Sequence, residues 1–240
     1  MASLLRPPAH PVRTRIAAWL WIGCLQFFLA EAVSTQGFIG HYSYRLSYIS
    51  DLGAVHCTAG LCSHWHLLMD ASFLLQAVLI ASGALLLPLR YSPGWLGISA
   101  RVLLLLAAFG VYDVAIAPED VDINKHIFGA GLNFFAAALA MLFWSIALAL
   151  HGRRRPPPRA RSRQAWIAFG AALIAALVAG IGVRLLYRPI GPVNAFLGAG
   201  TVERLAAYPL PLWLAWTGWS VLRAHRKLQR DTVRYIQQDA

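Results

Sequence analysis

HIFGAGLNFFAAALAMLFWSIALAL, residues 126–150, decides the fold. The stretch runs for 25 residues without Asp, Glu, Lys or Arg. At about 1.5 Å per residue it spans roughly 37 Å, enough to cross a hydrocarbon core of about 30 Å. Inside a bilayer the backbone must satisfy its own hydrogen bonds, so an apolar run of this length reads as a transmembrane helix. Ala130 and Ala137 lie seven apart on one face, where small side chains let a neighbouring helix approach closely.

The pattern recurs along the chain at about residues 16–38, 64–89, 96–117, 165–186 and 202–222. Arg90 and Ser92-Pro93-Gly94 end the second run, Pro118 stops the third and Gly152 ends the fourth. The composition agrees: 58% apolar and 13% charged over 240 residues, about half the charged share of soluble proteins. The expected fold class is therefore all-α, a polytopic bundle of six transmembrane helices forming a single membrane domain over 1–240. Arg13, Arg15, an apolar stretch and Ala30-Glu31-Ala32 also resemble a cleavable signal peptide. Glu31 is not small and the apolar run continues to Phe38, so the first helix is expected to be retained.

Orientation follows from the basic residues. Alternate connecting segments hold Arg6, Arg13 and Arg15, then Arg90 and Arg101, then the Arg153–Arg163 cluster, then Arg223 and the residues after it: sixteen of the 21 Lys and Arg. The rich side is cytoplasmic by the positive-inside rule, which places both termini inside. Residues 151–164, with Pro156-Pro157-Pro158, form a basic Pro-rich cytoplasmic linker, and residues 223–240 a basic cytoplasmic tail. The expected setting is the bacterial cytoplasmic (inner) membrane, multi-pass. The net charge of +11 does not indicate nucleic acid, because these residues sit in short segments between apolar runs.

The acidic residues carry the functional signal. Eight of ten fall in outward loops or outer helix ends: Glu31, Asp51, Asp70, Asp113, Glu119, Asp120, Asp122 and Glu203. His66 and Asp70 are four apart on one helical face, as are Arg204 and Tyr208. Intramembrane carboxylates are costly and need partners. Asp51, His66, Asp70, Asp113 and His126 are therefore expected to converge on one outward cavity as catalytic candidates. Tyr44, Arg45, Glu203 and Arg204 are the candidate substrate-binding residues, with Glu203 or Arg204 at the rim. Glu119, Asp120 and Asp122 read as a solvated loop. His66, Asp70 and His126 would suit zinc as a three-ligand set, although His64-x-His66 spacing points two rings to different faces and no HExxH pair is present. Ser50 and Ser63 are candidates for a Ser-His-Asp arrangement. No GxSxG, Walker A or GxGxxG motif lies in a strand-helix context. Cys57 and Cys62 flank a short outward loop with Gly60 and are expected to form a disulfide.

Tyr42-Ser43-Tyr44-Arg45-Leu46-Ser47-Tyr48-Ile49-Ser50-Asp51-Leu52-Gly53-Ala54 resembles the prokaryotic domain-of-unknown-function family numbered 998. Its members carry a similar Tyr-Ser, then Ile-Ser-(Asp or Glu)-Leu-Gly-Ala, after the first helix. A second similar stretch runs from Pro118 through Asp122 to His126 and Gly129. More distantly, Ile49-Ser50-Asp51 resembles the damage-regulated autophagy modulator and glycolipid-anchor remodelling families. The resemblance implies six helices and no particular reaction. Taken on its own, Ser50-Asp51 before Leu52-Gly53 is a cap or turn signal, with Gly53 free to take a positive φ. Two functions fit these residues. One is hydrolysis or group transfer on a membrane lipid at the outer leaflet. The other is lipid binding, sensing or interaction without catalysis.

Overall fold

The computed structural model describes residues 11–56, 62–152 and 196–238. Its elements are helices. α1 (Pro11–Gly23) and α2 (Gln26–Ser34) are followed by α3 (His66–Leu86), α4 (Gly94–Ile116), α5 (Ile123–Gly152), α6 (Ala199–Ala207) and α7 (Pro209–Gln238). Among the described residues four stretches are long and apolar enough to cross a membrane: Pro11–Gly37, His66–Leu86, Gly94–Ile116 and Ile123–Leu150. These helices are apolar around their whole circumference, as lipid-facing bundles are. Leu29, Leu67, Val78 and Phe109 remain more than half exposed, a surface that lipid covers at no hydrophobic cost. The fifth expected run, residues 165–186, lies outside the described residues.

Two runs differ from the continuous helices expected of them. The first bends after Gly23, where Cys24 and Leu25 N–H groups reach back only three residues, to Trp21 and Ile22. This tightened turn separates α1 from α2. The sixth divides at Tyr208 into α6 and α7, because Pro209 opens a helix readily but cannot continue one.

Sequence punctuation positions the other ends. Asp122 caps α5 by accepting from Lys125 N–H at 3.1 Å. Arg101 holds the turn between α3 and α4. Its guanidinium donates to the Ala84 carbonyl at 2.8 Å, to Pro88 at 2.9 Å and to Leu87, neutralising the carbonyl end of α3. Arg13 donates to Leu85 O at 2.8 Å at this same end of the bundle. The basic end and the acidic end are thus opposite ends of one molecule.

α4 packs most extensively on α5 and also lies against α3, while α1 lies against α7 and α3. Glycine permits the closest approach. A Cβ on Gly110 would lie 2.5 Å from Gly129 O, and one on Gly218 2.4 Å from Ala18 O. Trp21, Trp144 and Trp213, from α1, α5 and α7, meet at 5.6–6.4 Å between ring centroids and fill the core between the two ends.

Candidate functional site

The acidic end contains three polar assemblies. The first is a closed ion pair. Glu31 on α2 and Arg204 on α6 are both buried and meet at 2.8 Å. The remaining guanidinium hydrogens go to the carbonyls of Tyr44 at 2.8 Å, Ser47 at 3.0 Å and Gly200 at 2.9 Å, and to Tyr42 Oη. Tyr208 Oη donates to the other Glu31 oxygen at 2.7 Å. The Tyr44 ring lies 4.8 Å from the guanidinium carbon. Every Arg204 nitrogen is engaged, so this assembly fastens α2, α6 and the 42–48 loop together rather than awaiting a ligand. Burial pushes the Tyr42 hydroxyl above its ordinary pKa, against the pull of Arg204.

Gly198 and Gly200 let α6 reach the loop. Gly198 adopts φ +87°, and a Cβ there would fall 2.2 Å from Arg45 O. A Cβ on Gly200 would fall 2.1 Å from Ser47 O. Arg45 itself is exposed and donates to Phe196 O at 3.0 Å.

The second assembly joins the 3₁₀ turn Ser50–Gly53 to the α4–α5 connection. Ser50 Oγ donates to Glu119 Oε2 at 2.6 Å, and Asp51 is hydrogen-bonded to the same Glu119. Asp51 Oδ2 also accepts from Tyr48 N–H at 2.7 Å. Burial, then the hydrogen bond and charge of Glu119, push the Asp51 carboxyl up to about 7. Asp120 accepts from Val55 N–H at 3.1 Å and from His56 N–H. Burial would raise its pKa, but these N–H donors bring it below the ordinary range. The expected solvated loop at Glu119, Asp120 and Asp122 is therefore a clamp and a helix cap, because free N–H groups of the 50–56 turn and of α5 face it. The two stretches that carry the family resemblance, 42–54 and 118–126, meet here.

The third feature is a cavity of about 60 Å³ among α2, α3, α4, α5, α6 and α7. Most of its wall is apolar, with Phe27, Phe73, Ile80, Val111 and Leu210 prominent. Ser50, Gln76, His126, Asn133 and Glu203 are its polar groups. Glu203 Oε2 accepts from Ile49 N–H. His126 Nδ1 lies 2.9 Å from Ala117 O, and Asn133 Nδ2 donates to Ala107 O at 3.1 Å.

Of the five residues expected to converge, His126 lines the cavity. Asp51 stands one residue behind it, bonded to Glu119. His66 and Asp70 form a separate pair, 3.5 Å apart. That is too long for a good hydrogen bond, and His66 Nδ1 has no other partner. Asp70 instead lies against the backbone of Gly53, where a Cβ would come within 2.5 Å of Oδ1. This close approach, not a positive φ, is what requires Gly53: among the described residues the positive-φ glycines are Gly40, Gly94 and Gly198. Asp113 faces Lys125 at 3.8 Å, beside α5. The proposed zinc set is not assembled. His126 does not join the His66–Asp70 pair, and no group of three or more His, Cys, Asp or Glu among the described residues could hold a metal ion. Glu203 lines the cavity. Arg204 turns away from the cavity, and the Tyr44 backbone and ring serve that arginine. Cys57 lies outside the described residues, so the expected Cys57–Cys62 bridge falls there too; Cys62 is fully buried.

Glu119, Gln76 and Asn133 stand outside the expected set of site residues. Gln76 and Asn133 are single amides in otherwise apolar helices, and Glu119 directly follows a helix stop. Those were the available signals.

The family described as "Protein of unknown function (DUF998)" matches residues 15–220, and the chain belongs to it. Neither a curated protein nor a solved structure matches.

Proposed function

We propose, taking membership of that family as the premise, that this protein hydrolyses or transfers a group on a membrane lipid at the outer leaflet. It does so as a six-helix protein of the bacterial cytoplasmic membrane with both termini inside. One observation carries the reading: Ser50 donates its hydroxyl hydrogen to Glu119, which is hydrogen-bonded to Asp51, at the wall of a largely apolar cavity. A serine bonded to a carboxylate has an acceptor for its proton as Oγ bonds to an acyl or phosphoryl centre and that centre's bond to its leaving oxygen breaks. A second carboxyl poised near neutral pH can protonate the departing oxygen, and water or an acceptor alcohol then takes the group from Ser50 and restores its proton. His126 and Glu203 supply further polar groups on the cavity wall, and the apolar surface suits an acyl chain. The Cys57–Cys62 bridge belongs to the same proposal, closing the outward loop ahead of α3; mass spectrometry of the unreduced protein should find no free thiol at either position.

The purified protein, incubated with total membrane lipid and followed by mass spectrometry, should change one lipid class. Ser50→Ala and Glu119→Gln should each slow that change by about 100-fold or more, the usual range for a nucleophile or its base. Unaltered turnover in both variants would remove the catalytic reading. The complete saturation of Arg204 and Glu31 favours lipid binding or sensing as the second reading, since that part of the acidic end holds structure only. Bound lipid that co-purifies with the protein and is never converted would support it.

A further inference from the structure

The cavity's polar groups form an unequal set. Ser50 gives its hydrogen to Glu119 at 2.6 Å, so toward a ligand it offers lone pairs. His126 Nδ1 faces the Ala117 carbonyl at 2.9 Å. A carbonyl only accepts, so Nδ1 holds the proton and Nε2 presents a lone pair. Glu203 uses one oxygen on Ile49 N–H and keeps the other. Asn133 spends an amide hydrogen on Ala107 O at 3.1 Å and keeps its carbonyl oxygen and one hydrogen. Gln76 runs the other way: its oxygen accepts from Gln26 Nε2 at 3.2 Å, which leaves an amide NH2. Four acceptors, one of them a carboxyl oxygen, outweigh the donors. Among the described residues no Lys or Arg lines the cavity, and the neighbouring Arg204 is spent on Glu31 and three carbonyls.

We infer that the cavity binds the ammonium end of an amine-bearing amphiphile, with Glu203 as its counter-charge and His126 and Asn133 as further acceptors. The inference rests on the lipid-directed reading above and names its ligand class. An alkylammonium has three donors and no acceptor, the complement of this wall. A phosphate offers mainly acceptors and, among the described residues, would find no Lys or Arg on this wall. About 60 Å³ is room for a few water-sized groups, enough for the ammonium and its first methylenes. Phe27, Phe73 and Leu210 offer the chain an apolar wall.

Thermal melting of the full chain in a non-ionic detergent, titrated with octylamine, octyl phosphate or octyl glucoside at pH 7, tests this. Octylamine should raise the midpoint saturably at concentrations where the other two do not. Glu203→Gln should weaken the octylamine effect at least tenfold. Asn133→Ala, which leaves the Ile49–Glu203 contact intact, should weaken it several-fold and carries the test if the first variant does not fold. Equal or tighter binding of octyl phosphate, a preference for the neutral glucoside head, or octylamine stabilisation unchanged in the folded variants would overturn the inference. The two readings fail separately. Ser50-dependent lipid turnover without amine binding removes only the ligand class. Amine binding without turnover removes only catalysis.

Discussion

At the residue scale, two carboxylates illustrate opposite uses of burial. Glu31 is fully compensated by Arg204 and Tyr208. Removing one partner of a buried pair strands the other charge, so Glu31→Gln or Arg204→Ala should each lower unfolding free energy by about 3–5 kcal/mol. Replacing both partners together, as Glu31→Gln with Arg204→Met, should cost less than the sum, and chemical or thermal melts in detergent will show it. Asp51 is instead held near neutrality, its carboxyl raised from 3.8 to about 7. A raised carboxyl binds a proton in the folded state that it has already lost in the unfolded one. Its stabilisation is complete below the unfolded value and is lost as pH rises through about 7. Melting temperature should therefore decline between pH 5 and pH 8 in the wild type and decline less in Asp51→Asn, whose amide can still donate to Glu119 and accept from Tyr48 N–H. An identical pH slope in both proteins would show that Asp51 does not hold a proton near neutral pH.

At the scale of elements, close backbone contact replaces the hydrophobic effect, since lipid is as apolar as the helix faces it would leave. The α4–α5 pair depends on Gly110 and Gly129, each of which places a hypothetical Cβ within 2.7 Å of the opposite backbone. Gly110→Val should force the two helices apart, with an overpacking cost of about 1–3 kcal/mol. The same shift would move Asn133 and His126 on α5 relative to Val111 and Val114 on α4, so ligand binding should weaken together with stability. A melt unchanged from wild type would show that the helices do not meet at these glycines. The connection between α4 and α5 is equally specific. Pro118 stops one helix, Asp122 starts the next, and the intervening Glu119 and Asp120 clamp the 50–56 turn.

At the scale of the whole molecule, charge separates the two ends. Arg13, Arg90 and Arg101 gather at one end of the helices, and Glu31, Asp51, Glu119, Asp120 and Glu203 at the other. The proposed orientation puts the basic end inside. A cysteine introduced at Ala160, in the basic linker, should react with a membrane-impermeant maleimide only after the cells are permeabilised. Labelling from outside intact cells would invert the topology and place the cavity toward the cytoplasm.

Apolar run length, proline and glycine stops and the distribution of Arg were sufficient to read a helical membrane protein and the existence of an acidic end. These are local quantities: a helix of this kind satisfies its backbone within itself, so its presence is written in consecutive residues. The kink after Gly23 was not legible in the same way, since no proline or charge marks it, whereas the division at Tyr208 follows from Pro209, a local signal that run length alone passes over. The membership of the site was less legible still. Asp70 and Asp113 have the residue type and depth of catalytic groups, yet helix rotation directs one to Gly53 and the other to Lys125. Glu119 looks like solvated loop and instead joins Ser50 and Asp51 across 69 residues of sequence. Partner choice depends on how helices rotate and how closely they approach, and that is settled by small residues such as Gly53, Gly110 and Gly200 meeting a particular neighbour. Only the tertiary structure brings those neighbours together, because contact between distant segments has no periodicity along the chain.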